Sequence, residues 1–418
     1  MIIVSVLLVV LALIGAPLFS VIAASAMLGY HREGIDLAAM AIDILGLAEI
    51  PFLSAIPLFT FAGYLLGESG APQRLVRLTN ATIGWIPGGL ALVALAACAL
   101  FTAFTGASGI TIIALGAILY PALQHDGYPD DFNLGLVTTS GSLGLLFAPS
   151  LPLILYGVIA EVPIDSLFRA GVLPGVLMLL LLGGWSLWVN RSNRTPAHEF
   201  SFANLGAALK ESAWELPLPV VVLGGIYSGF FAVSEAAAVT AVYVLVVEVF
   251  VRKEISFSHL VRIMRESMLL VGAILIILGV SLASTDYMIS TQVPQRLFET
   301  VARLVSSPTT FLVLLLVFLL ILGALLDIFS AIVLVVPLIL PIAAQYGIDQ
   351  IHLGIVFLAA MQLGYLTPPV GLNLFIASYR FDRPILEVCR ATLPFLLILL
   401  ASVIVITFWP ELSLWLAG

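Results

Sequence analysis

Apolar runs separated by short polar connections fill this chain, at 2–24, 51–67, 132–160, 167–190, 215–231, 234–250, 267–284, 352–379 and 391–409. About 20 apolar residues in helical form span a hydrocarbon core of about 30 Å, so each run predicts a membrane crossing. Two further runs, 90–123 and 309–345, predict re-entrant hairpins that enter the bilayer and return. Alternation at period two is absent, which argues against a barrel. Segments 35–48, 201–212 and 255–266 mix charge with apolar residues at helical spacing. They predict helices lying along the membrane surface, with ordinary loop helices as the alternative.

Composition narrows the class. Of 418 residues, 61% are hydrophobic and 10% charged, which no soluble globular class accommodates. The net charge of −8 says little about partners, because in a membrane chain the placement of Lys and Arg carries the information. Nucleic acid is not an expected ligand. Cys98 and Cys389 lie far apart in or beside apolar runs and read as small hydrophobes, not as a disulfide framework. His31, His125, His198, His259 and His352 lack zinc-ligand spacing. Residues 1–28 have no basic leader region and an overlong apolar stretch, so they read as a retained first span and not as a signal peptide.

The chain also repeats itself. At an offset of 220 residues Pro121 falls on Pro341, Gly127 on Gly347, Gly144 on Gly364, Pro149 on Pro369 and Pro174 on Pro394. The string PQRL recurs at 72–75 and 294–297, one small gap away from that register. Such an ordered set indicates an internal duplication. Five crossings separate the starts of the two units, at the N-terminus and near 234, and an odd number requires inverted orientation. The fold class is therefore an all-α polytopic membrane protein of two inverted-topology repeats, each with a re-entrant helical hairpin and a broken helix, the secondary-transporter plan. Arg191, Arg194, Lys210, Arg252, Lys253, Arg262 and Arg265 crowd two connections that should be cytoplasmic. The N-terminus is then cytoplasmic and the C-terminus periplasmic; Arg74, Arg77, Arg380, Arg383 and Arg390 agree, while Arg32, Arg296 and Arg303 fall outside.

Four stretches break the apolar runs: FTGASGIT (104–111), FAPSLP (147–152), LLDIFS (325–330) and YLTPPVG (365–371). Unpaired backbone groups cost several kcal/mol each in hydrocarbon, so broken chain persists there only inside protein or beside a polar ligand. Each break frees carbonyls at one half-helix end, which suit a cation, and amides at the next start, which suit an anion. Gly106, Ser108, Gly109, Pro149, Ser150, Asp327, Thr367, Pro368 and Gly371 are the candidate cation-binding residues. Ser108, Thr111, Ser150, Thr367 and Asn373 are the candidate substrate contacts. For the small residues of the first tip, close helix packing is the competing explanation. Asp327 is an acid inside the second hairpin, which either serves the cation or caps the following helix. Glu235 follows Ser234 at a helix start and reads as a structural carboxylate at the dipole. No Walker A loop, G-x-S-x-G or H-E-x-x-H is present, so neither ATP use nor enzymatic catalysis is expected.

The run FTGASGITIIALGAILYPALQHDGYPDDFNLGLVTTSGSLGLLFAPSLPLILYG, followed in order by AGVLPG (170–175), SEAAAV (234–239), LLDIFSAIVLVVPLILP (325–341) and GYLTPPVGLNLFIAS (364–378), resembles the DctM-like large membrane subunit of tripartite ATP-independent periplasmic (TRAP) transporters. The likeness covers essentially the whole chain, and its T-P-P-x-G element is its most specific part. Departures are Gly106-Ala107-Ser108-Gly109 at a tip that is usually Ser-rich, Ala148-Pro149 for a double proline, and Ala232-Val233 for Thr-Pro. The resemblance implies a bacterial inner-membrane importer of a small organic anion such as a dicarboxylate, sugar acid or sialic acid. It further implies sodium coupling, an elevator movement, a small four-helix DctQ-like subunit and a DctP-like periplasmic binding protein. On that plan 1–89 hold scaffold helices and an interfacial helix, and 90–166 the first transport-domain hairpin and broken helix. Residues 167–305 are linking scaffold, 306–386 the second hairpin and broken helix, and 387–418 a C-terminal scaffold helix. A stand-alone sodium/carboxylate carrier acting as a homodimer is the alternative.

Overall fold

The computed structural model describes residues 16–50, 53–86, 88–191, 200–293 and 307–417, with Leu8, Val10, Leu11, Gln295, Arg296, Phe298, Glu299 and Val305 besides. Among these every regular element is helical, and six helices are long and apolar enough to cross a membrane, or up to eight if each bent pair counts as one span. About half of the expected 2–24 span lies outside the described residues, as do Arg194, His198, Arg303 and part of the second PQRL string. Breaks fall where the prolines and glycines predicted them. Asp130–Ser140 and the short turn Leu143–Leu146 are followed, at a 40° bend, by Leu151–Ala160. Gln350–Gly364 likewise gives way to Leu372–Phe381. One expectation changes: the surface segment 255–266 and the crossing 267–284 form a single helix, Phe257–Ser290. No proline interrupts that stretch, and Ser256 Oγ caps its start by accepting from His259 N at 3.3 Å. Its 34 residues extend about 50 Å, longer than the hydrocarbon core, so the charged first turns lie beyond it.

The duplication is visible in helix boundaries. Gly89–Thr105 ends at 105 and Pro308–Leu325 at 325; Ser108–Ala114 begins at 108 and Ile328–Gln345 at 328; the broken helices begin at 130 and 350. Gly127 and Gly347 both turn left-handed, with φ of 76° and 71°. The halves interlock by exchange. The return limb of the first hairpin, Ser108–Ala114 and Gly116–His125, packs through its first part on Leu372–Phe381, while Ile328–Gln345 packs on Leu151–Ala160. Each broken helix touches the opposite end of the other: Arg383 Nη2 lies 2.6 Å from Asp130 Oδ2, and Tyr156 Oη donates to Gln350 O at 2.7 Å. The two therefore run antiparallel. Residues 132–140 and 352–364 are buried on every side, so these are the innermost elements. Main chain meets main chain there, since a Cβ on Gly364 would stand 2.5 Å from the Gly323 backbone.

Outside this pair lie Ala55–Glu68, Val233–Leu245 and Phe257–Ser290, packed on one another, with Leu18–Glu33 against the last of them. Ala55–Glu68 also abuts the first hairpin: a Cβ on Gly63 would reach Thr105 Cα at 2.7 Å. The helix Ala71–Ile83, which joins these regions, is held by a charge cluster. Arg74 sits 2.6 Å from Glu215, 2.5 Å from Glu254 and 3.6 Å from the buried Glu248. Burial raises the Glu254 carboxyl, but Arg74 and the Gly70 amide outweigh it and hold it below the usual carboxylate range.

Gly364→Ala should cost about 1–3 kcal/mol by overpacking, read as a lower thermal midpoint in detergent. Gly184→Ala, where an added Cβ meets nothing within 4 Å, should be neutral or stabilising by up to about 1 kcal/mol. Glu254→Gln should destabilise by about 1–3 kcal/mol at neutral pH. Because the folded carboxyl is depressed, the wild-type advantage is complete above an unfolded pKa of about 4.3 and vanishes as pH falls through the folded value. Midpoints of the two proteins converging on acidification would show it.

Candidate functional site

Gly89–Thr105 ends because Gly106 turns left-handed, φ 64°, with its N–H returned to Thr102 O at 2.8 Å. A Cβ on Gly106 would lie 2.6 Å from Leu151 Cγ, so the first tip abuts the start of Leu151–Ala160. The threonine one turn back ties the tip together. Thr102 Oγ1 is 2.7 Å from Thr111 Oγ1 and 2.9 Å from Gly141 O, where the first broken helix stops. Ser108 Oγ donates to Asn373 Oδ1 at 2.7 Å, and Asn373 Nδ2 reaches Thr138 O at 3.5 Å. One serine and one asparagine thus join tip one, break one and break two.

Around this junction Thr105, Thr139 and Ser150 are wholly buried, and their hydroxyls have no hydrogen-bond partner. Stranding a buried hydroxyl costs about 1–3 kcal/mol, so each of the three is a candidate ligand contact. Thr105 and Thr139 lie at the carbonyl ends of Gly89–Thr105 and Asp130–Ser140, and Ser150 immediately precedes the amide start of Leu151–Ala160. Hydroxyls and main-chain carbonyls are neutral, hard oxygen donors, the chemistry of an alkali cation. No group of three or more His, Cys, Asp or Glu residues among the described residues forms a multivalent metal centre.

The second tip is built differently. Asp327 is exposed and caps Ile328–Gln345: Oδ1 accepts from Phe329 N and Ser330 N, each at 3.0 Å, and Oδ2 from Ser330 Oγ at 2.5 Å. Capping is therefore its observed role. Ile328 N donates to Tyr365 Oη at 2.8 Å, and Val370 N and Gly371 N reach Ala324 O at 3.3 and 3.4 Å. Thr367 Oγ1 donates back to Leu363 O at 3.1 Å. Glu235 accepts from Ala232 N at 2.9 Å at the start of Val233–Leu245.

Of the expected residues, Gly106, Ser108, Thr111, Ser150 and Asn373 gather at the first tip, with Gly109 against Ile376 and buried Pro149 beside Ser150. Asp327, Thr367, Pro368 and Gly371 belong to the second tip and break. Sequence reading overlooked Thr102, Thr105, Thr138, Thr139 and Tyr365. The signal was present, since VTTSGS at 137–142 sets four hydroxyls in an apolar helix.

Residues 5–412 match the family described as Tripartite ATP-independent periplasmic transporter, DctM component. The chain is 38% identical over 377 residues to the C4-dicarboxylate TRAP transporter large permease protein DctM of Pseudomonas aeruginosa, covering 90% of this chain and 88% of that one. It is 32% identical over 400 residues to the isethionate TRAP transporter permease protein DctMQ of Oleidesulfovibrio alaskensis, spanning 94% of itself and 63% of that longer protein. In fold it is similar to the crystal structure of the Alcanivorax borkumensis YdaH transporter, with a TM-score of 0.61, 15% identity and coverage of 91% and 88%. Broken helices, a polar junction at their meeting point and these likenesses converge: the chain belongs to the DctM component family of tripartite ATP-independent periplasmic transporters, a family of transport permeases and not of enzymes.

Proposed function

We propose that this chain carries a small organic anion across the bacterial inner membrane by symport with sodium. The observation that supports this is the trio of partnerless buried hydroxyls, with Thr105 and Thr139 at the carbonyl ends of two helices and Ser150 just before the start of Leu151–Ala160. A sodium ion among them would satisfy all three, leaving the amide starts at Ser108 and Leu372 and the Asn373 side chain for an anion. The relatives named for C4-dicarboxylates and isethionate handle small carboxylates and sulfonates, which fit that polarity. Each sodium moving inward supplies about 2.3 kcal/mol per 100 mV, enough with its concentration gradient to drive an anion uphill. On this reading the hairpins and broken helices move as one body against the scaffold in an elevator step. The N-terminus is cytoplasmic and the C-terminus periplasmic. A DctQ-like small subunit completes the membrane complex, and a DctP-like binding protein delivers the solute.

Counterflow in proteoliposomes containing both partner proteins should require sodium; uptake unchanged when potassium replaces sodium would refute the coupling. Uptake by this chain alone would favour a stand-alone carrier instead. Ser150→Ala should raise the sodium half-saturation about tenfold, the loss of about 1.4 kcal/mol of ligand binding. The same change should leave the sodium-free protein as stable or more stable, because a stranded hydroxyl is removed. Asp327→Asn keeps a good cap and should leave sodium half-saturation near wild type, whereas Asp327→Ala should cost about 1 kcal/mol of stability. Thermal midpoints titrated with sodium chloride separate these outcomes.

A further inference from the structure

We infer that Arg383, acting through Asp130, is a positioning residue for the Ser108–Asn373 junction. The inference rests on the proposal that this junction serves sodium and solute. Leu372–Phe381 lies alongside the return limb of the first hairpin in the same direction. Asn373 meets Ser108 at 2.7 Å, Arg380 Nε donates to Ile113 O at 3.2 Å, and Phe381 stacks on Tyr120 with ring centroids 4.8 Å apart. Between these ties the contact is glycine against apolar side chain. Cβ atoms added at Gly109 and Gly116 would each stand 2.8 Å from Ile376 and Phe381. Such a surface lets helices approach closely but offers little to stop them sliding lengthwise.

The stop comes one step beyond the helix end. Asp382 turns left-handed, φ 52°, and Arg383 reaches back, Nη2 to Asp130 Oδ2 at 2.6 Å and Nη1 to Glu387 Oε1 at 3.2 Å. Asp130 Oδ1 also accepts from Tyr120 Oη at 2.6 Å and Gln124 Nε2 at 2.8 Å. An isolated exposed ion pair is worth about 0.2–1 kcal/mol. Here one carboxylate collects three donors from the hairpin base and the returning chain, which makes it a junction and not a lone pair. A helix about 15 Å long is thereby fixed at its far end by Arg383, and at its near end it delivers Asn373.

The duplication supplies an internal control. Positions equivalent to Ser108, Asp130, Asn373 and Arg383 in the exchanged packing are Ile328, Gln350, Leu153 and Pro163. None of these can reproduce the tip bond or the ion pair, so the brace is no requirement of the doubled fold. It occurs only on the side that carries the Asn373 amide.

The purified full chain in detergent, titrated with sodium chloride against choline chloride at constant ionic strength and read by thermal midpoint, tests this. Arg383→Gln and Asp130→Asn should each raise the sodium half-saturation about threefold, the double variant no further than either single one, and Arg383→Lys less than about twofold. Lower midpoints with an unchanged half-saturation would make the contact merely structural, and additive effects would separate the two residues; either result overturns the inference. A wild-type chain without any sodium response would instead refute the reading of the site itself.

Discussion

Peptide groups cannot be left unpaired in hydrocarbon, and a chain that interrupts helices at membrane depth has to find each freed group a partner. The structure meets that constraint locally. Gly106 returns its amide to Thr102, Ile328 gives its amide to the Tyr365 hydroxyl, and the amides of Val370 and Gly371 turn to Ala324. Among the buried side-chain atoms left without a partner are the hydroxyls of Thr105, Thr139 and Ser150.

Duplication gave the two halves one backbone plan, and divergence gave them different chemistry. In the first half the tip and break are enclosed and lined by hydroxyls. In the second, a carboxylate occupies the amide end of Ile328–Gln345 and neutralises the positive pole that the first half leaves open. The helix start at Ser108 thus carries no acidic cap, whereas the one at Ile328 is filled by Asp327. The two tips therefore differ in charge although their scaffold is close to symmetric.

Much of this was legible in the chain because proline and glycine act locally. Pro149 and Pro368 restrict their own dihedral angles and those of their neighbours, Gly106 permits the left-handed turn that other residues resist, and the breaks lie where they stand. The repeat register was legible for the same reason. Asp327 illustrates the limit, since an intramembrane acid and a helix cap look alike until the amides of Phe329 and Ser330 are seen pointing at it. The hydroxyl-rich stretch around Thr139 was visible, but which of its hydroxyls lack a partner was not: hydroxyls in apolar helices usually bond back to their own turn, as Thr138 does to Leu134 O at 2.6 Å. Only packing reveals which of them lack that bond. The joining of 255–266 to 267–284 was missed because charge was taken as a boundary, whereas a helix continues through charged residues unless its backbone is interrupted.

The second break lies at the molecular surface. Pro368, Pro369 and Val370 are exposed, in contrast to the buried Ala148, Pro149 and Ser150 of the first. Acyl chains cannot cover such a stretch, because a proline-bound carbonyl in oil has no donor to meet it. This flank is therefore wetted or roofed by protein, whereas the first break is sealed by the chain itself.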